Sequence, residues 1–575
     1  MSKPVGRALG ASVLAMLAAL FLIVTVSAAD AQVVLVPTTP QVGTQNPTTA
    51  EPLVPRPETT PCVVQLFQNL AFADFSVKSF TYTPPAACPG PWAKVVFTAD
   101  FTVTAGRQFD RTAKFYLGGA NIYFGTTAEP RRTLSPSWHV ERDVTDLTAV
   151  FKTVQTGTAD LGNLVNSTFT GIIYGNAALQ FYPASWEDRA PRTADVVVPV
   201  NGTVNVTTDQ VTQALNLPTN VERVYLDVIA QSQANDEFWY VCVPNDQTGP
   251  LQSCGNTAFR ETEVTIDGNP AGVAPVYPWI YTGGIDPFLW EPIPGVQTLN
   301  FKPYRVDLTP FAGVLSDGSS HTVGIGVFNA NHNFVVAANL LAFTDHGGSQ
   351  VTGGVISNDL AAPVPVVTEN VKTDSSGNIT GGVTVVSDRS FAIKGFVNTS
   401  HGRIETTVEQ TVDFKNSQTF NISAAGNLFV QDAVQTSTVD SRTTTRDGFF
   451  KSSTESDFSF PLTLDFSFVV NADGTSSQTT TINQQDLVDA SKSLEGWKYF
   501  KSKLHDEVNS TDTLGFNASG ALTGATGGKS SETYRYRDSL GHCFSRTVNA
   551  TAQVLTSFVD GVGCRDRDHR DDDDR

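Results

Sequence analysis

Three short stretches set acids beside cations or aromatics in ways that suit hydrolytic chemistry. In "GRQFDRTAKFYLGG", Asp110 stands directly before Arg111 at the head of an apolar run. An acid held beside a cation keeps a lowered pKa and stays ionised, as a base or an electrostatic anchor must. The same pair also reads as a strand-end ion pair at the surface. Strict alternation puts the two side chains on opposite faces, so a shared pocket needs a bulge or a twist at this point. In "NDEFWYVCV", a strand would place Glu237 with Trp239 on one face and Asp236 with Phe238 and Tyr240 on the other. Glu237 then reads either as a carboxyl desolvated beside a sugar-stacking ring or as an exposed acid above a core tryptophan. In "GNTAFRETEVTIDG", Arg260 falls on the Val264 and Ile266 face and Glu261 on the opposite one. An arginine on an apolar face needs an acid to meet it, because an unpaired buried charge is expensive.

The elements that must carry these residues read as β-strands. Glycine and proline turns punctuate runs rich in Val, Thr and Phe, such as "KVVFTADFTVTAG" and "HTVGIGVFNANHNFVVAANLLAFTD". The one helix-like stretch is "VTDLTAVFKTV". The expected organisation is a signal peptide over 1–31, a Pro/Thr-rich extended linker over 32–61, and β-sandwich blocks over 62–217 and 218–346. A connector over 347–365, a β domain of its own over 366–564 and a charged tail over 565–575 follow. The aromatic segment "YPWIYTGGIDPFLWEPIPG", from Tyr277 to Gly295, reads as a loop that lines a site or as a packed Ω-loop over a sheet end.

Charge and cysteine count narrow the classes. A net charge of -19 argues against a nucleic-acid partner, since a phosphate backbone demands a basic surface. The apolar run Leu9–Val26 behind Lys3 and Arg7 is expected to direct export, with an uncleaved anchor as the lesser reading. No stable membrane insertion is expected after cleavage, and a secreted or periplasmic monomer is the expectation. Six cysteines fall in local pairs, Cys62 with Cys88, Cys242 with Cys254 and Cys543 with Cys564, so proximity predicts three disulfides and no thiol nucleophile. The scattered histidines offer no paired metal spacing, and no metal or cofactor is expected. The terminal Asp run lacks the spaced ligands and glycine turn of a calcium loop.

These strings, with "FGTTAEP", "WHVERDVTDL" and "YRVDLTPFAGVLSDGSSHTVGIGVFNA" in the same chain order, resemble the peptide:N-glycosidase A family of secreted amidases. The resemblance spans about Cys62 to Asp345 and weakens into the Thr-rich C-terminal region. "FDRTAKFYLGG" is also similar to a Trp-Asp-Arg strand of the bacterial peptide:N-glycosidase F enzymes, with Phe109 in place of the tryptophan. The resemblance implies an all-β fold of two tandem eight-stranded jelly rolls followed by a β-rich C-terminal domain. It implies hydrolysis of the bond between the Asn side chain and the first N-acetylglucosamine of N-glycosylated peptides and proteins. Asp110 is then expected to activate or orient water, Glu237 to position the sugar or a bridging water, and Glu261 to act as a supporting acid or proton source. Arg111 and Arg260 are expected to stabilise charge, and Asp236, Trp239 and Trp138 to contact substrate. Two other readings are a glycoside hydrolase that uses two of these carboxylates and a glycan-binding surface protein without catalysis.

Overall fold

The computed structural model describes residues 39–564; the signal segment and the charged tail expected from the sequence lie outside them. The first sandwich is built from β1 (Cys62–Phe72), β2 (Lys78–Tyr82), β3 (Trp92–Val103), β4 (Thr112–Leu117), β5 (Ala120–Thr126), β6 (Ser137–Asp143), β7 (Gln155–Leu161) and β8 (Ile173–Pro183). Its two sheets have the orders β1-β8-β3-β6 and β2-β7-β4-β5, the double Greek-key order of a jelly roll. Alternation along β3 and β4 aims Phe97, Phe101 and Phe115 inward, where they meet Phe72 and Tyr123 in one aromatic core. The helix-like stretch forms two short 3-10 turns, Thr145–Leu147 and Val150–Lys152, not a helix.

The second sandwich repeats the plan with β9 (Val196–Val204), β10 (Val211–Leu215), β11 (Val221–Gln233), β12 (Glu261–Ile266), β13 (Asn269–Pro275), β14 (Tyr304–Asp307), β15 (His321–Phe328) and β16 (Asn333–Thr344). Its sheets run β9-β16-β11-β14 and β10-β15-β12-β13. This corrects the boundary expected at residue 217. Strands β9 and β10 pair with β16 and β15, so the second unit starts before Val196. Sequence continuity of the strand-rich run hid the break, because both sides of it alternate alike.

The edge strand β5 abuts the second jelly roll. Asn121 and Asn339 exchange reciprocal hydrogen bonds of 3.0 and 2.9 Å, and the Tyr123 hydroxyl donates to the Leu299 carbonyl at 2.6 Å. The rest of the described chain, from Thr352 to Asp560, is one twelve-stranded antiparallel sheet. It includes the strand Thr352–Asn358, within the segment expected to be a connector. The sheet is not a domain with a core of its own: its buried residues Ile393, Phe414, Phe460 and Ile482 pack into the same hydrophobic cluster as the second jelly roll. The expected linker is also corrected in part. Residues 39–61 are largely without regular structure, yet Ala50 is fully buried and Gly43 and Thr44 exchange backbone hydrogen bonds with Leu555. These residues form a strap over both jelly roll and sheet.

Candidate active site

The hairpin β4–β5 turns at Gly118 and Gly119, and its open end points at the seam between the jelly rolls. Asp110 and Arg111 immediately precede β4, and Thr127 to Pro130 follow β5. The arms stay tied past the ladder: Thr127 N–H donates to the Arg111 carbonyl at 2.8 Å, and Arg111 N–H to the Thr127 hydroxyl at 3.1 Å. This brings Glu129 level with Asp110, whose N–H donates to Glu129 Oε2 at 2.9 Å. From the second jelly roll, the Gly283 N–H donates to Asp110 Oδ2 at 3.0 Å. A side chain at Gly283 would collide with the Glu129 carboxylate and crowd Asp110 at 3.1 Å, so the position needs a residue without Cβ.

Glu237 completes the group from the end of β11. Burial, and then the charges of Asp110 and Glu129, push its pKa up to about 7. Burial and then the Asp110 charge push Glu129 up to about 7 as well. Burial raises Asp110 above the ordinary carboxylate range, against the hydrogen bond from Gly283 and the Arg111 charge. This reverses the lowering expected from Asp110 and Arg111 standing adjacent. Burial outweighs the charge of Arg111, whose guanidinium donates from Nε and Nη2 to Asn163 Oδ1 at 3.1 and 2.7 Å. All three acids are half-buried and so remain within reach of a ligand.

Around Glu237 the expected strand is absent. Two 3-10 turns, Ala234–Asp236 and Trp239–Val241, replace it, so alternation does not govern which side chains share a side. Asp236 is fully buried and paired with Arg260 at 3.0 Å. Its Oδ2 also accepts the backbone N–H groups of Asn331, His332 and Asn333 at 2.9, 2.7 and 3.1 Å. The acid that Arg260 required is therefore Asp236, and the pair clamps the β15–β16 turn beneath Glu237; neither faces solvent. Trp239 is 1% exposed and packs on Tyr240 and Phe414, which leaves no face for a sugar. Trp138 is buried in a stack on Phe101 at 5.3 Å, beside a cavity of about 510 Å³ under the strap whose lining includes none of the three acids. Glu261 is buried on β12, where its carboxylate pairs with Arg389 of the C-terminal sheet, and burial pushes it up to about 7. Thus Asp110 and Glu237 come together, while Glu261, Asp236, Arg260, Trp239 and Trp138 serve packing or ion pairing elsewhere. The aromatic surface left beside Asp110 is the half-buried pair Phe109 and Phe169, edge to face at 5.0 Å. The three expected disulfides are formed, and Cys242 with Cys254 pins the loop that follows Trp239.

Glu129 was not among the residues singled out from the sequence, although it stands in "FGTTAEP". The β4–β5 ladder shifts register at Phe115/Tyr116 and ends with Thr112 opposite Thr126, so counting outward from the turn sets Ala128 opposite Asp110 and Glu129 one residue beyond it. Among the described residues, the group with metal-like spacing is Glu222, Asp345 and His401, which contains none of these acids and in which Arg192 already holds Glu222 at 2.7 Å.

The model of the family described as peptide N-acetyl-beta-D-glucosaminyl asparaginase amidase A matches residues 51–361, and that of the PNGase A C-terminal domain matches 382–462. The chain belongs to this family. It is 32% identical over 399 residues to the peptide-N4-(N-acetyl-beta-glucosaminyl)asparagine amidase A of Prunus dulcis, across 65% of this chain and 68% of that one. Among solved structures, PNGase F, a glycosylasparaginase from Flavobacterium meningosepticum, superposes with a TM-score of 0.35 at 13% identity, covering 50% of this chain and 96% of its own. PNGF-II superposes with a TM-score of 0.34 at 13% identity, covering 50% of this chain and 66% of its own. The architecture of this amidase A family member rests on its own strand order, not on these superpositions. The match from residue 51 places part of the strap, the Glu129 loop and Gly283 within the family region.

Proposed function

We propose that the chain hydrolyses the amide between the Asn side chain and the first N-acetylglucosamine of N-glycosylated peptides and proteins. The observation that carries this reading is the meeting of Asp110 and Glu129 from one jelly roll with the Gly283 N–H of the other, with Glu237 of the second jelly roll near enough to feel both charges. Three facing carboxyls cannot all ionise together, so the site holds a proton and a base at once near neutral pH. Asp110 orients and deprotonates the water that adds to the amide carbon. Glu237 positions the sugar and the bridging water, and Glu129, in the role first expected of Glu261, returns a proton to the leaving nitrogen. The C–N bond then breaks, leaving Asp in the peptide and the glycan as a glycosylamine. The disulfides suit a secreted setting, and the acting unit is a monomer.

The test is incubation with a defined N-glycopeptide followed by mass spectrometry. Peptide bearing Asp where Asn stood supports the amidase. Peptide retaining one N-acetylglucosamine on Asn would mean cleavage between sugars and would overturn the reading in favour of a glycoside hydrolase.

A further inference from the structure

One end of the C-terminal sheet carries apolar groups that the amidase reading does not use. The hairpin joining strands Leu428–Asp447 and Phe450–Ser459 turns at Gly448 and Phe449, and the one joining Ser476–Leu494 and Trp497–Phe516 turns at Glu495 and Gly496. The two turns lie side by side, since Glu495 N–H donates to the Lys451 carbonyl at 2.8 Å. A third turn, around Leu540, sits next in line, with Ser539 N–H on the Lys501 carbonyl at 2.8 Å. Phe449 is fully exposed, Trp497 is 71% exposed, and Phe450, Leu494, Tyr499 and Leu540 are exposed with them. Elsewhere the same sheet buries most of its large apolar groups in the core shared with the second jelly roll, so the gathering of so many at this end is the exception.

The charge around these turns also departs from the rest of the molecule. In a chain of net charge -19, Arg446, Lys451, Lys492, Lys498 and Lys501 stand one to a few residues behind the apolar tips. Lys498 is held by Glu455 at 2.7 Å, whereas Arg446, Lys451 and Lys501 make no ion pair among the described residues. Asp447, Glu495 and Asp538 are the acids at the turns themselves; the Glu495 carboxylate is engaged by the Lys451 backbone N–H, and Asp538 by His542 at 2.8 Å.

We infer that these three adjacent turns are a peripheral docking surface for an anionic lipid membrane. Protruding tips do not enclose a small molecule, but a planar partner meets all of them together. Apolar rings in front, Trp and Tyr at the headgroup level and lysines behind match the depth profile of a bilayer interface. The acidic remainder of the chain is repelled by such a surface, so binding is local, reversible and sensitive to salt. The inference does not depend on the amidase reading.

The experiment is sedimentation of the full chain with phosphatidylcholine vesicles, with and without phosphatidylserine, at low and high salt. Binding is expected with phosphatidylserine at low salt, together with a blue shift of tryptophan emission. Lys451→Gln and Lys501→Gln should each weaken partition about fivefold. Phe449→Ser combined with Trp497→Ser should abolish it, while hydrolysis of a small soluble glycopeptide stays unchanged. Absence of vesicle binding at low salt, or binding indifferent to the Phe449 and Trp497 changes, overturns the inference. So does self-association without lipid that the same pair of substitutions removes, which would assign the turns to a second copy of the chain.

Discussion

Burial raises the pKa of all three acids, the charges of Asp110 and Glu129 add to it at Glu237 and that of Asp110 at Glu129, and this defines what single substitutions should do. Asp110→Asn keeps the size of the side chain and its bond from Gly283 but removes the base, so hydrolysis should fall about 10²- to 10⁴-fold with the thermal midpoint unchanged. Full activity in that variant would remove Asp110 from its role. Glu129 and Glu237 are both pushed up to about 7, so they are protonated below that pH and lose the proton as pH rises through it. Activity that needs this proton should therefore decline on the alkaline side of about 7, measured as kcat/KM against pH. Glu237→Gln or Glu129→Gln should move that limb, and a profile unchanged in both variants would exclude them as the titrating groups. Asp110 was legible in the sequence because an acid at a strand start beside a cation is conspicuous. The direction of its pKa was not, because nothing local says that this strand start is buried at the seam between the jelly rolls. Glu129 stayed hidden because its importance comes from a hydrogen bond across the open end of the hairpin and not from its neighbours in the chain.

At the scale of elements, the C-terminal sheet supports the loops that carry the site. Asn416 donates to the Tyr240 carbonyl at 2.8 Å, Gln418 to the Cys242 carbonyl at 3.0 Å, and Gln484 to the Pro278 carbonyl at 2.7 Å. Irregular loops have no ladder to satisfy their backbone, and these side-chain amides supply the missing partners. Trp239 fills the space between loop and sheet, so Trp239→Ala should destabilise the protein by about 3–5 kcal/mol in denaturant unfolding, whereas a sugar-stacking residue would leave stability untouched. Where the strap crosses the sheet, Glu532 accepts the Ala50 N–H at 2.6 Å, and Glu51 holds Lys302 at 2.6 Å. Burial pushes Glu532 up to about 8 and raises Asp506 and Asp486, with Glu51, Lys302, Tyr277 and Tyr534 as the other titratable groups in this contact. A folded pKa above the unfolded value of about 4 stabilises the fold below that pH, and the gain is lost as pH rises through about 8. The thermal midpoint should fall across that window, and Glu532→Gln should flatten the fall; an equally steep fall in the variant would contradict this. The Pro/Thr composition of the strap concealed its role, since low hydrophobicity reads as a linker even where the backbone is docked.

For the molecule as a whole, alternation and turn residues made the β class readable, and the paired Greek keys followed from the resemblance. The C-terminal region was legible as long amphipathic strands, but their apolar face gave no sign that its partner is the second jelly roll and not a second sheet of their own. That sharing has a consequence: a chain cut after residue 361 exposes half of a common core and should be insoluble or aggregated on gel filtration. A soluble, fully active truncated form would show the jelly rolls to be self-sufficient. The central claim is that water attacks the Asn amide carbon at a site built from both jelly rolls, and hydrolysis of a defined glycopeptide in heavy-oxygen water tests it most directly. The label is expected in the side-chain carboxyl of the new Asp; label on a released sugar, with N-acetylglucosamine left on Asn, would contradict it.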